Sequence, residues 1–160
     1  MDKQSVLAFL DGLSEEEFVL HGSEHAYEYL IPSDPQQGHL IPEYDQVAVY
    51  GTCSVEIALL YAVIRTPTVD WGWRVIDDPF HPHILVVGPE RLQISSGYVH
   101  LVRRSSFTDF VLNGLACLAY TPVKPERAIP VLPDILELLI KQRRIHVLSY
   151  EEYQNKHPST

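Results

Sequence analysis

Short apolar runs recur along the chain and predict a succession of strands with a few helices. Apolar positions spaced at helical intervals predict a short helix over residues 5–13. Two strands follow, over 18–21 and 47–50, and the second leads into a helix over 55–64. That helix is apolar almost all round, which indicates that it packs in the interior against a sheet.

The second half of the chain is richer in strands. Apolar or alternating runs bounded by turn residues predict strands at 71–76, 84–87, 98–102, 115–120, 128–132 and 145–148, with an amphipathic helix over 133–140. Residues 22–45 contain three prolines and break every periodic pattern, and long irregular segments inside a domain are often functional. The pattern predicts an α+β fold with a largely antiparallel β-sheet core and a few packing helices.

Chain length and net charge limit the number of domains and the kinds of partner. The 160 residues suit one domain over 1–150, followed by a polar tail over 151–160. A net charge of −9 opposes phosphate backbones, so we expect no duplex nucleic-acid partner. Two basic groups, Arg103-Arg104 and the Lys141–Arg144 cluster, fit a solvated face or a helix C-terminus better than a nucleic-acid site.

The sequence also indicates a cellular location. It has no basic and apolar leader and no apolar run of the roughly 20 residues that a membrane span needs. Its two cysteines, Cys53 and Cys117, are not in a CxxC pair, which favours a reducing compartment. We therefore expect a cytoplasmic protein with no membrane partner and with both thiols packed as small apolar groups.

The strongest candidate site combines two ring side chains, each at the end of a predicted strand. One is His21 in Leu20-His21-Gly22-Ser23, and the other is Tyr50 in Val49-Tyr50-Gly51-Thr52. A glycine after each ring lets another group approach the main chain closely. Both rings could line one cleft, in which the His binds a hydroxyl and the Tyr stacks on a planar ligand. The alternative is a His in a turn and a Tyr on a sheet, with no common ligand.

These two motifs, with Glu56-Ile57-Ala58 in the following helix, resemble the ADP-ribosyltransferase superfamily, in the branch of diphtheria toxin and the poly-ADP-ribose polymerases. The resemblance extends over roughly residues 18–132 and implies a split β-sheet and an NAD-binding cleft. It implies that His21 and Gly22 hold the nicotinamide ribose and amide, that Ser23 adds a hydroxyl, and that Tyr50 stacks on nicotinamide.

The chain departs from that family at one position. Active transferases carry a catalytic Glu on a later strand, and the corresponding stretch here, residues 115–120, contains no carboxylate. The loss of a group that polarises the nucleophile costs orders of magnitude in rate. Three alternatives stay open: a module that binds NAD or ADP-ribose without turnover, an active transferase in which Asp109 or Glu126 replaces the Glu, and a protein-interaction domain with a vestigial cleft.

Two weaker candidates complete the sequence evidence. The run His81-Pro82-His83 follows two aspartates and could contribute to a metal site, although a polar loop explains it better. Cys53 precedes a predicted helix and could form a nucleophile–base dyad with His21 or His100. No further ligand pair or family signature accompanies either candidate.

Overall fold

A computed structural model describes residues 1–33, 47–78 and 81–156. In these ranges the chain forms the helices α1 (Lys3–Asp11), α2 (Val55–Val63), α3 (Ile135–Lys141) and α4 (Tyr150–Lys156). The strands are β1 (Phe18–Ser23), β2 (Val49–Gly51), β3 (Gly72–Asp78), β4 (His81–Gly88), β5 (Gly97–Arg103), β6 (Asp109–Val111), β7 (Ala116–Ala119), β8 (Arg127–Val131) and β9 (Ile145–Ser149).

The strands form three small sheets, and two of them are joined at one point. Their strand orders are β1-β5-β8, β2-β7-β6 and β3-β4-β9, and the β4–β9 pair is parallel whereas the others are antiparallel. Leu20 and Thr52 exchange two main-chain hydrogen bonds of 2.8 Å, which links β1 to β2. The linked strands therefore follow the order β6-β7-β2-β1-β5-β8.

Helix α2 is the centre of the main core. The Ser54 hydroxyl caps its start by accepting the Ile57 N–H, and six of its nine residues are buried. The helix lies directly against β1 and β5 at two glycines. A Cβ on Gly22 would lie 2.0 Å from the Ala58 carbonyl oxygen, and one on Gly97 would lie 1.7 Å from that of Ala62. Only glycine permits this close approach of helix and sheet.

A cluster of ion pairs centred on Arg144 lies beside that core. The Arg144 guanidinium donates two hydrogen bonds of 2.7 Å to Asp11 at the end of α1. Its Nε also donates to Glu56 in the first turn of α2, at 2.9 Å. Hydrogen bonding to Asp11 raises the pKa of Arg144, so this side chain stays charged. One cation thus holds both helices next to β9.

The predicted α+β class with mostly antiparallel strands is confirmed. The structure adds β6 and α4, two elements that the sequence did not predict, and α4 occupies much of the segment expected to be a polar tail. Of the irregular segment expected at 22–45, residues 34–45 lie outside the described residues. Gly22 and Ser23 belong to β1 instead, and Leu30 and Ser33 each form an isolated bridge. None of the helices in the described ranges has the length and hydropathy required to cross a bilayer.

Candidate functional site

His21 and Tyr50 meet through the main chain of the tyrosine. The His21 Nδ1 lies 2.6 Å from the Tyr50 carbonyl oxygen. A carbonyl can only accept, so Nδ1 carries the proton, and in the neutral ring Nε2 keeps a free lone pair. Nε2 has no hydrogen-bond partner among the residues that the structure describes. Within the described part of the chain, His21 therefore has one acceptor nitrogen without a hydrogen-bond partner.

The imidazole lies where β1 and β2 separate. Leu20 pairs with Thr52, so a continued antiparallel ladder would next pair Gly22 with Tyr50. Instead, the Tyr50 carbonyl that faces β1 accepts the His21 ring, and no bridge forms between Gly22 and Tyr50. The direction of the main-chain N–H and C=O groups alternates from residue to residue along a strand. The groups of Gly22 therefore point toward β2, as those of Leu20 do. The pairing of β1 with β2 stops here, and this unpaired stretch between Gly22 and Tyr50 is called the gap.

A second histidine, His100, holds this end of β1. It lies opposite His21 in the β1–β5 register, is 0% exposed, and its ring centroid is 5.7 Å from that of His21. Its Nε2 accepts the Tyr27 N–H at 2.9 Å, so Nδ1 carries the proton and donates to the His21 carbonyl at 3.2 Å. The Ser23 hydroxyl is 3.5 Å from the same Nδ1 and donates to the His25 carbonyl at 2.6 Å.

Both imidazoles are held in the neutral form. Burial is the main cause that lowers the pKa of His21, and the neighbouring His100 lowers it further, against the opposing effect of the Tyr50 carbonyl. Burial likewise lowers the pKa of His100, against the effect of its bond to the His21 carbonyl. Two neutral rings can stand 5.7 Å apart without repulsion, and the Nε2 of a neutral His21 that donates from Nδ1 carries a lone pair.

The Tyr50 side chain lies on a different face of the strands. Its neighbours Val49 and Gly51 both turn toward an apolar cluster to which β1, β2, β5 and β7 contribute, so pleat alternation directs Tyr50 away from it. Val19 belongs to that cluster, and His21 is on the same pleat face as Val19. The structure thus brings His21 to the main chain of Tyr50 and shows no contact between the two rings among the described residues.

One acidic residue lies in the same row of the sheet as Tyr50. Leu118 of β7 lies opposite Tyr50, and Asp109 of β6 lies opposite Leu118. The Tyr120 hydroxyl donates to Asp109, which raises the pKa of Tyr120 to about 12, and the nearby Tyr50 contributes to that rise. Strand β7, Ala116–Ala119, contains no carboxylate. Asp109 is therefore the acid in the same row as Tyr50.

Glu126 is engaged at a different position. It accepts the Arg103 Nε at 2.5 Å beside β5 and β8, and Arg103 also pairs with Glu17 at 3.6 Å. These contacts place Glu126 and Arg103 in an exposed ion-pair group at the end of β5 and the start of β8. Of the two acids that the sequence offers as substitutes, Asp109 alone shares a row with Tyr50.

The two glycines at the candidate site have packing roles. The space next to Gly22 is filled by α2, and a Cβ on Gly51 would lie 2.5 Å from a Val19 methyl group. Gly22 can therefore offer a ligand only its main-chain groups at the gap. The sequence did not predict the roles of His100 and Tyr27, and the only available signal was a polar ring within the apolar strand that begins at Gly97.

The structure supports neither a Cys–His dyad at Cys53 nor, among the described residues, a metal site. Cys53 contacts Arg104 and Cys117 rather than His21 or His100, so the structure does not assemble the Cys–His dyad. The side chains of His81-Pro82-His83 lie outside the described part of the chain. Among the described residues, no group of three or more His, Cys, Asp or Glu side chains is arranged to hold a metal ion.

Comparison of the chain with family models, with curated proteins and with solved structures gave no match.

Proposed function

We propose that this domain is an ADP-ribosyltransferase-like module that binds NAD or ADP-ribose in the gap between β1 and β2. The observation that carries the proposal is the His21 imidazole beside the interrupted β1–β2 pairing, donating from Nδ1 to the Tyr50 carbonyl, with its Nε2 bonded to none of the described residues. The antiparallel order β6-β7-β2-β1-β5-β8, broken beside the two sequence motifs, also supports it.

The groups at the gap suit the polar parts of such a ligand. His21 Nε2 is an acceptor for a ribose hydroxyl. The Gly22 N–H and C=O present one donor and one acceptor, the complement of a carboxamide such as that of nicotinamide. Ser23 adds a hydroxyl beside them, and Tyr50 supplies an aromatic face for stacking. Because the pleat directs the His21 and Tyr50 side chains to different faces of the strands, a ligand that contacts both rings must enter the gap between β1 and β2.

Binding without turnover is the version that the site favours. The strand next to Tyr50 lacks a carboxylate, and the nearby acid Asp109 already accepts the Tyr120 hydroxyl. A carboxylate that orients the ribose and polarises a nucleophile accounts for much of the rate in this chemistry. We therefore expect recognition of the dinucleotide with no measurable transfer or hydrolysis.

Calorimetric titration of NAD and of ADP-ribose tests the proposal. The substitution His21→Asn is the sharpest variant, because the Asn amide can still donate to the Tyr50 carbonyl while Nε2 is lost. We expect it to weaken the Kd roughly tenfold, as loss of one hydrogen bond of about 1.4 kcal/mol implies. His146→Asn, an exposed histidine on β9, is the matched control and should bind as the wild type does.

Two outcomes would overturn this assignment. One is absence of binding by the wild type at millimolar ligand, which would favour a protein-interaction domain. The other is equal binding by wild type and His21→Asn. Release of nicotinamide from NAD that is abolished by Asp109→Asn would instead make the chain an active enzyme with Asp109 as its acid.

A further inference from the structure

The two cysteines of the chain lie side by side, far apart in sequence. Cys53 is in the turn before α2, Cys117 is in β7, and their sulfur atoms are 3.9 Å apart. Both are free thiols. A disulfide has an S–S distance of roughly 2.05 Å, so the two sulfurs must approach each other by about 1.9 Å to form a bond.

The two thiols have unequal surroundings. Cys53 is half-buried and lines a cavity of about 350 Å³ at the start of α2, together with Ser14, Glu15 and Phe18. Cys117 is 0% exposed. Burial is the main cause that raises the pKa of Cys117 to about 12, and the neighbouring Cys53 adds to this rise. A small oxidant can therefore reach Cys53 and not Cys117.

Polar groups around the pair also differ. The Arg104 Nη1 lies 3.6 Å from the Cys53 sulfur, which puts a positive charge beside the accessible thiol. Reactive cysteines sit in electropositive, partly exposed surroundings, and Cys53 meets both conditions. The Gly114 carbonyl accepts the Cys53 N–H at 2.8 Å and the Cys117 thiol at 3.5 Å, so one peptide group fixes both residues.

We propose that Cys53 and Cys117 form a redox pair, in which a hydroperoxide oxidises Cys53 and Cys117 then closes a disulfide. In the first step the Cys53 thiolate attacks the terminal peroxide oxygen, the O–O bond breaks, and Cys53 sulfenic acid forms with hydroxide as the leaving group for hydrogen peroxide, or an alkoxide for an alkyl hydroperoxide. In the second step the Cys117 sulfur attacks the Cys53 sulfur and the hydroxyl leaves as water. With hydrogen peroxide, two thiols and one peroxide give one disulfide and two waters.

The disulfide would connect the start of α2 to β7, the strand next to β2. Because the sequence contains only two cysteines, no other pairing within the chain can compete. The proposal does not depend on nucleotide binding, since neither thiol contacts the gap residues His21 or Gly22 among the described contacts.

Mass spectrometry after treatment with hydrogen peroxide tests this pair. We expect a monomer lighter by two hydrogen atoms, reversible by dithiothreitol, and a cross-linked peptide that joins Cys53 to Cys117. In Cys117→Ser, Cys53 should accumulate as a sulfenic acid that dimedone traps. In Cys53→Ser, Cys117 should stay unmodified.

The effect of the Arg104 guanidinium is tested by the rate at which hydrogen peroxide oxidises Cys53. Arg104→Gln should slow loss of the Cys53 thiol at least about threefold, because the charge beside the sulfur is lost. Arg103→Gln, which removes the adjacent arginine that pairs with Glu17 and Glu126, is the matched control and should react at the wild-type rate. Disulfides only between chains, or oxidation of Cys53 to sulfinic acid while Cys117 stays reduced, would overturn the proposal.

Discussion

At the scale of single residues, His100 organises the end of β1. It is a fully buried imidazole, and it connects the His21 carbonyl to the Tyr27 main chain. The Tyr27 ring also stacks on it, with centroids 5.9 Å apart. A protonated His100 could no longer accept the Tyr27 N–H, and it would place a charge beside His21 in a buried setting. The contacts that join β1 to the Tyr27 main chain therefore require a neutral His100.

The free energy of unfolding should therefore fall in mild acid. His21 and His100 have a lowered pKa in the native state, so between pH 6.5 and those lower values the unfolded chain binds more protons. Their contribution is fully present above about pH 6.5, the unfolded value, and is lost as pH falls through the native values. Urea unfolding at a series of pH values measures this loss.

A matched pair of variants identifies the groups responsible. His21→Asn should reduce the acid-dependent loss, because one of the two titrating rings is gone. His146→Asn, an exposed histidine, should leave the pH profile unchanged. A profile that is flat between pH 7.5 and 5 in the wild type would contradict this account of the two rings.

At the scale of elements, helix α2 and strand β1 are fitted to each other through main-chain contact at Gly22. Gly22→Ala places a methyl group 2.0 Å from the Ala58 carbonyl oxygen, and the helix must move. We expect a loss of about 3 kcal/mol in the free energy of unfolding. Gly72→Ala is the control, since a Cβ there meets nothing within 4 Å and should change stability by less than about 0.5 kcal/mol.

The elements also show what a sequence can predict and what it cannot. The helix at 55–63 and its Ser54 cap follow from local patterning, because an apolar run after a capping residue is a local signal. Strand β6 has only three residues, Asp109–Val111, and its identity depends on pairing with β7. Helix α4 has a polar sequence, and only its contact with β9 and β4 explains it.

The candidate site was predictable in part for the same reason. The motifs around His21 and Tyr50 could be found as strand ends, since each is a local pattern. The hydrogen bond from His21 to the Tyr50 carbonyl depends on the register between β1 and β2, which the sequence does not encode locally. The role of His100 depends on a pairing between residues 79 positions apart.

At the scale of the whole molecule, Arg144 joins segments that are distant in sequence. Removal of its side chain leaves the carboxylates of Asp11 and Glu56 together without a counter-charge. We expect Arg144→Met to lower the free energy of unfolding by about 2 kcal/mol, because the two pairs are partly buried. Thermal and urea unfolding would measure it, with the exposed Arg91→Met as the control that should be neutral.

The same arginine sets an order for events during synthesis. Asp11 leaves the ribosome 133 residues before Arg144, and Glu56 leaves 88 residues before it. Helix α1 also packs on α3 and β8, which are made late. A nascent chain can thus pair β1 only after β5 has been made, and its first helix waits, undocked, until β8 and α3 have been translated as well.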